Sequence, residues 1–109
     1  MINTQNLLDM FDNDKEIIKP IFQMYLEENR MVYEEIQSAF TESDDKKLYS
    51  VCHRIYGALV NLNEEDISPL IKEVEIRAAE NAPSDKVDIE KIIAELKAIN
   101  EQVETFILS

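Results

Sequence analysis

Glycine occurs once in this chain, at position 57, and proline only three times. A sheet protein of this length must reverse direction every eight to twelve residues or so, and its tight turns draw heavily on glycine and proline. That chemistry is nearly missing here. The apolar residues recur instead at three- and four-residue spacing, the period of a helix that buries one face. The sequence therefore predicts an all-α fold. Its 109 residues suit a single domain spanning 1–109, with one modest core.

The helices can be placed from their caps and apolar lines. Leu7 to Phe11 reads as a short N-terminal helix closing over one end of the core. Asp12-Asn13-Asp14 offers N-caps for a long helix to about Thr41, carrying Ile18, Ile21, Phe22, Tyr25, Val32, Ile36 and Phe40 inward. Pro20 lies inside it and should kink it, because proline removes a backbone donor and crowds the preceding turn. Ser43-Asp44-Asp45 caps a helix from Asp45 to Leu62, with Asn63 suited to a left-handed C-terminal cap. The next helix carries Ile67, Leu70, Ile71, Val74 and Ala78, and Ser68-Pro69 is a good N-cap and first-turn pair for it. Asn81-Ala82-Pro83-Ser84 is the clearest loop. A final helix from about Asp85 to Leu108 holds Ile89, Ile92, Leu96, Ile99, Val103 and Phe106. Four long amphipathic helices with short loops predict an antiparallel up-down four-helix bundle with a short extra N-terminal helix.

Charge narrows the function. Twenty-three acidic residues against eleven basic ones give a net charge of −12, which repels phosphate backbones and anionic lipids and argues against nucleic acid and membrane as partners. High negative charge also serves plain solubility. There is no signal-peptide pattern, and no apolar run approaches the ~20 residues that span a bilayer. A single cysteine, Cys52, cannot form an internal disulfide. These features point to the cytoplasm. A monomer is expected.

The Asp45–Leu62 helix is unusual on its outward face. At about 100° per residue, Leu48, Cys52, Ile55, Leu59 and Leu62 form the inward stripe. His53, the only histidine, and Gly57 fall opposite that stripe on consecutive turns. Lys46 and Val60 share their face, Tyr49 and Tyr56 lie on one shoulder, and Arg54 and Asn61 on the other. A helix-interior glycine costs about 1 kcal/mol relative to alanine, and a glycine facing outward is not explained by packing. It leaves room for a partner to approach the imidazole. No acidic residue occurs from Lys46 to Asn63, and Lys46, Lys47 and Arg54 make that strip locally basic. Each feature also has an ordinary explanation. The histidine could be a plain surface residue, the glycine could permit a close helix contact under a different helix rotation, and the tyrosines could simply flank the core.

Taken together, the run His53-Arg54-Ile55-Tyr56-Gly57-Ala58-Leu59-Val60-Asn61-Leu62-Asn63 resembles the His-x-x-Lys-Gly motif of the histidine-containing phosphotransfer (HPt) domains of two-component phosphorelays. Downstream, Ile67, Leu70-Ile71 and Val74-Glu75 resemble the family's next-helix pattern of spaced leucines ending in a hydrophobic–Glu pair. The likeness extends over nearly the whole chain. It departs at Tyr56, where the family has lysine, and at Asn63, where it has a turn glycine. The resemblance implies a phosphocarrier, not an enzyme with turnover of its own. His53 would accept a phosphoryl group from a receiver-domain aspartate and pass it to another receiver. A neutral imidazole is a competent nucleophile near neutral pH. Lys46, Tyr49, Ser50, Arg54, Tyr56, Gly57, Val60 and Asn61 would form the docking surface. The implied partners are response-regulator receiver domains and a hybrid sensor histidine kinase. No cofactor is implied for this chain, since the Mg²⁺ would sit on the receiver. Because the bundle occupies nearly all of the sequence, a free-standing carrier is expected.

Other readings are a bundle that binds receivers without transferring phosphate, and a helical interaction scaffold. A di-iron carboxylate site needs Glu-x-x-His pairs on two helices, and here Ser50 stands three residues before the only histidine. Cys52 and His53 diverge by about 100° on the helix and cannot share a thiol or metal site. A single glycine excludes a glycine-rich nucleotide loop.

Overall fold

The computed structural model describes residues 1–109 and contains six helices and no strand: α1 Thr4–Met10, α2 Lys15–Asn29, α3 Val32–Thr41, α4 Asp45–Asn61, α5 Ser68–Ala79 and α6 Lys86–Leu108. The molecule is elongated, 44 × 20 × 20 Å. Helix α4 packs against α5 on one side and α3 on the other, while α6 packs against α2, α3 and α5. No helix is long and apolar enough to cross a membrane.

Aspartates start three of the helices. Asp14, Asp44 and Asp85 each accept a hydrogen bond from a first-turn backbone N–H, of Glu16, Lys47 and Val87 respectively, which satisfies a donor the helix itself leaves unpaired. The left-handed positions between helices are held by Asp12, Asn13, Ser43, Asn63 and Asn81, all at φ of 54–60°. Short polar side chains tolerate that conformation. No turn uses the glycine.

The long helix expected from Asp14 to Thr41 is divided. Helix α2 continues through Pro20, and the interruption falls at Arg30 and Met31. The reason is a buried polar cluster: the Asn100 amide of α6 donates to the carbonyls of Asn29, at 3.1 Å, and Arg30, at 3.3 Å, and so supplies the partners they lack at the helix end. The Tyr25 hydroxyl donates to Asn100 Oδ1 at 2.8 Å, and the Asn29 amide donates to the Tyr25 carbonyl. Burial, with the charge of Glu64 adding to it, holds the Tyr25 phenol well above its usual range.

The core contains Ile18, Phe22, Tyr25, Val32 and Ile36 of the divided arm and the full expected stripe of α4. Two residues of the arm placed inward on sequence grounds lie elsewhere, and Leu70 and Phe106 of the later helices are only partly buried. Ile21 is exposed, and Phe40 is only partly buried against the core's edge. Both lie at the flank of a buried stripe, and Leu26 on α2 and Ala39 on α3 take inward positions. Ser68 begins α5 without capping it. Its hydroxyl donates to the Glu64 carbonyl, and the buried Glu64 carboxylate takes the donors leading into the helix: Asp66 N at 2.7 Å, Ile67 N at 2.8 Å and Ser68 N at 3.0 Å.

Candidate functional site

Helix α4 has two unlike faces. Inward, Cys52 is fully buried, and burial, reinforced by the charge of Glu75, pushes its thiol up to about 12. Outward, the His53 side chain is 66% exposed. Position 57 lies in open space, since a Cβ built there would meet no atom within 4 Å. The close-contact explanation for Gly57 is thereby excluded. Its helix-propensity cost has no compensation inside the protein.

His53 is not a free surface residue. Its Nδ1 lies 3.3 Å from Oε2 of Glu75, a residue of α5 whose side chain is only 5% exposed. An ionised carboxylate can only accept, so in the neutral imidazole Nδ1 carries the proton and Nε2 keeps its lone pair. A carboxylate behind an imidazole fixes the orientation of the ring and the position of its proton. The Tyr49 ring stacks on the other side of the imidazole, with centroids 5.7 Å apart and planes at 14°. The ring is held from two directions and its far nitrogen is open.

Lys72, one turn before Glu75 on α5, completes the group. Its Nζ lies 3.0 Å from the same Oε2 that faces His53, and 5.0 Å from the centroid of the Tyr56 ring. The hydrogen bond to Glu75 raises the Lys72 pKa against the opposing effect of desolvation, and the charge of Glu75 adds to the rise. The other carboxylate oxygen of Glu75, Oε1, is buried with no hydrogen-bond partner.

The residues expected to dock a partner fall into two groups. Lys46, Tyr49, Ser50, Gly57, Val60 and Asn61 are exposed along α4, and Tyr56 is partly buried beneath Lys72. Arg54 is exposed but engaged: it pairs with Glu35 of α3 and its Nε donates to Asn29 Oδ1 at 3.3 Å. Lys47 likewise reaches Glu42 and the Ser38 hydroxyl. The acid-free window of sequence is therefore not an acid-free surface, because Glu35, Glu42 and Glu75 approach it from outside the helix. Beside Gly57, a shallow groove between α2 and α4 is lined by Ile21, Met24, Ala58 and Asn61. Ile21 and Met24 are both exposed there. Sequence reasoning missed them by assigning Ile21 to the core. It quoted Glu75 only as part of a pattern and did not use Lys72, though a Lys-x-x-Glu pair on the facing helix was the available signal.

No group of three His, Cys, Asp or Glu side chains is gathered as a metal site. Comparison with protein-family models, curated proteins and solved structures finds no match to this chain.

Proposed function

We propose that the chain is an HPt-type phosphocarrier, in which Nε2 of His53 accepts a phosphoryl group from the aspartyl phosphate of one receiver domain and delivers it to the aspartate of another. The observation that carries this reading is an exposed imidazole whose Nδ1 is held by the buried Glu75 next to the open face at Gly57. In this reading α2 and α3 form one broken arm of an antiparallel up-down four-helix bundle completed by α4, α5 and α6.

The step is simple in its bonds. The Nε2 lone pair attacks phosphorus, the P–O bond to the donor aspartate breaks, and the aspartate leaves as a carboxylate. The positive charge that develops on the ring faces Glu75 through the Nδ1 proton. Delivery is the reverse step to a second aspartate, with the Nε2–P bond breaking. The carrier contributes an oriented nitrogen and an accessible surface, and the receiver contributes Mg²⁺ and most of the charge stabilisation. The apolar groove at Ile21 and Met24 and the exposed Val60 suit a docking helix, with Gly57 giving close approach.

Mixing the protein with phosphorylated receiver domains from the same organism should transfer label to His53 as an acid-labile, base-stable adduct. A His53→Gln variant should take up none, and equal labelling of that variant overturns the proposal. A receiver-binding module without transfer is the second reading, favoured by Tyr56 in place of the motif lysine. It requires tight receiver binding with no labelling of the wild type.

A further inference from the structure

The strip around His53 holds several cations, but most are committed elsewhere. Arg54 is tied to Glu35 and Asn29, and Lys47 to Glu42 and Ser38. Lys72 is different, because its ammonium sits over the Tyr56 ring and shares one carboxylate oxygen with the His53 imidazole.

Building on the carrier reading, we infer that Lys72 supplies from α5 the cation that the His-x-x-Lys-Gly motif places on the histidine's own helix, and that it faces the phosphoryl group on His53. Tyr56 occupies the motif's lysine position and acts as the platform that carries the ammonium across. A phosphoryl group on Nε2 brings added negative charge towards the buried Glu75. A cation already bound to Glu75, on a flexible stem with its head in solvent, can swing towards the phosphoryl oxygens without unfolding anything. The half-satisfied state of Glu75 suits such an exchange, since Oε2 serves two donors while Oε1 has none. The Lys72 ammonium thus offsets Glu75 before transfer and the phosphoryl charge after it.

The test uses phosphoramidate as a small donor, so that receiver docking plays no part. Its P–N bond breaks as the Nε2–P bond forms, and ammonia leaves. Wild type should be labelled at His53, and Lys72→Met should be labelled roughly tenfold more slowly, as expected for loss of one charged partner. Lys72→Arg should retain most of the wild-type rate. The double variant Tyr56→Lys, Lys72→Met should recover it, because the charge returns from α4. Thermal unfolding of each variant separates a lost charge from a lost fold. Wild-type labelling of Lys72→Met, or failure of both rescues in folded protein, overturns the inference alone. Failure of the wild type to be labelled by either phosphoramidate or phosphorylated receivers overturns the carrier reading together with it.

Discussion

Two glutamates near α5 are buried, and they are satisfied in opposite ways. Glu64, just before the helix, gives both carboxylate oxygens to backbone N–H groups of Asp66, Ile67 and Ser68. Glu75, inside the helix, gives one oxygen to two side chains, Lys72 and His53, and leaves the other without a partner. The first arrangement is saturated by backbone groups fixed by the fold, with the Met1 ammonium 3.5 Å from Oε1 beside them. The second depends on partly exposed side chains from two helices, which can move. Burying a carboxylate is costly unless its lone pairs are filled. Glu64 meets that requirement and holds a helix end. Glu75 meets only half of it, and it stands behind the one histidine.

The largest effect should come from Glu64→Ala. It strips three backbone donors of a charged acceptor at a buried helix start, and urea unfolding should show a loss of about 3 kcal/mol. A loss below ~1 kcal/mol would remove the structural half of the contrast. Glu75→Gln should do the reverse. Unfolding free energy should change by under about 1 kcal/mol, because a half-satisfied buried charge contributes little net stability. Labelling of His53 should nevertheless fall roughly tenfold, as orientation and charge behind the ring are weakened. Equal destabilisation by the two glutamate substitutions would break the comparison.

Gly57 sharpens the same contrast on α4. Gly57→Ala should stabilise the protein by about 1 kcal/mol, since the added methyl enters open space and improves helix propensity. Gly57→Leu should leave the fold intact and block receiver docking, while phosphoramidate labelling persists. Normal receiver transfer by Gly57→Leu would show that the open face is not a docking face.

The smallest expected effect at neutral pH concerns the sealed side of α4. The folded Cys52 thiol ionises only near 12, against a reference of 9.0. Its protonated form is thus favoured by folding, and this contribution to stability is whole below pH 9 and is lost as pH rises towards about 12. The raised Tyr25 phenol acts in the same direction at higher pH. Denaturation curves should therefore shift to lower urea above pH 9, with a smaller shift in Glu75→Gln, which removes the charge that adds to burial at Cys52. Below pH 9, iodoacetamide should modify Cys52 only after unfolding.

Much of the fold was legible because it rests on local chemistry. Helix periodicity and the aspartate caps at Asp14, Asp44 and Asp85 placed most boundaries within a residue or two. The α4 stripe from Leu48 to Leu62 was buried as its spacing required. The division of the long arm was not legible, because its cause lies on α6: Asn100 accepts the Tyr25 hydroxyl and donates to carbonyls some seventy residues away in sequence. Ile21 was misplaced for a different reason: it stands at the flank of the buried stripe of Ile18, Phe22, Tyr25, Leu26 and Asn29, and spacing alone does not fix where that stripe ends. The cap of α5 was assigned to Ser68 because serine is the commoner choice, and the glutamate four residues earlier reached the donors first.

At the site, the sequence by itself determined that His53 and Gly57 share an outward face, because helical geometry fixes the angle between positions on one helix. It could not determine what stands behind the imidazole. Glu75 and Lys72 belong to another helix, and the register of α5 against α4 depends on side-chain packing that no single-helix pattern contains. Only the tertiary structure brought a buried carboxylate to Nδ1 and an ammonium over Tyr56.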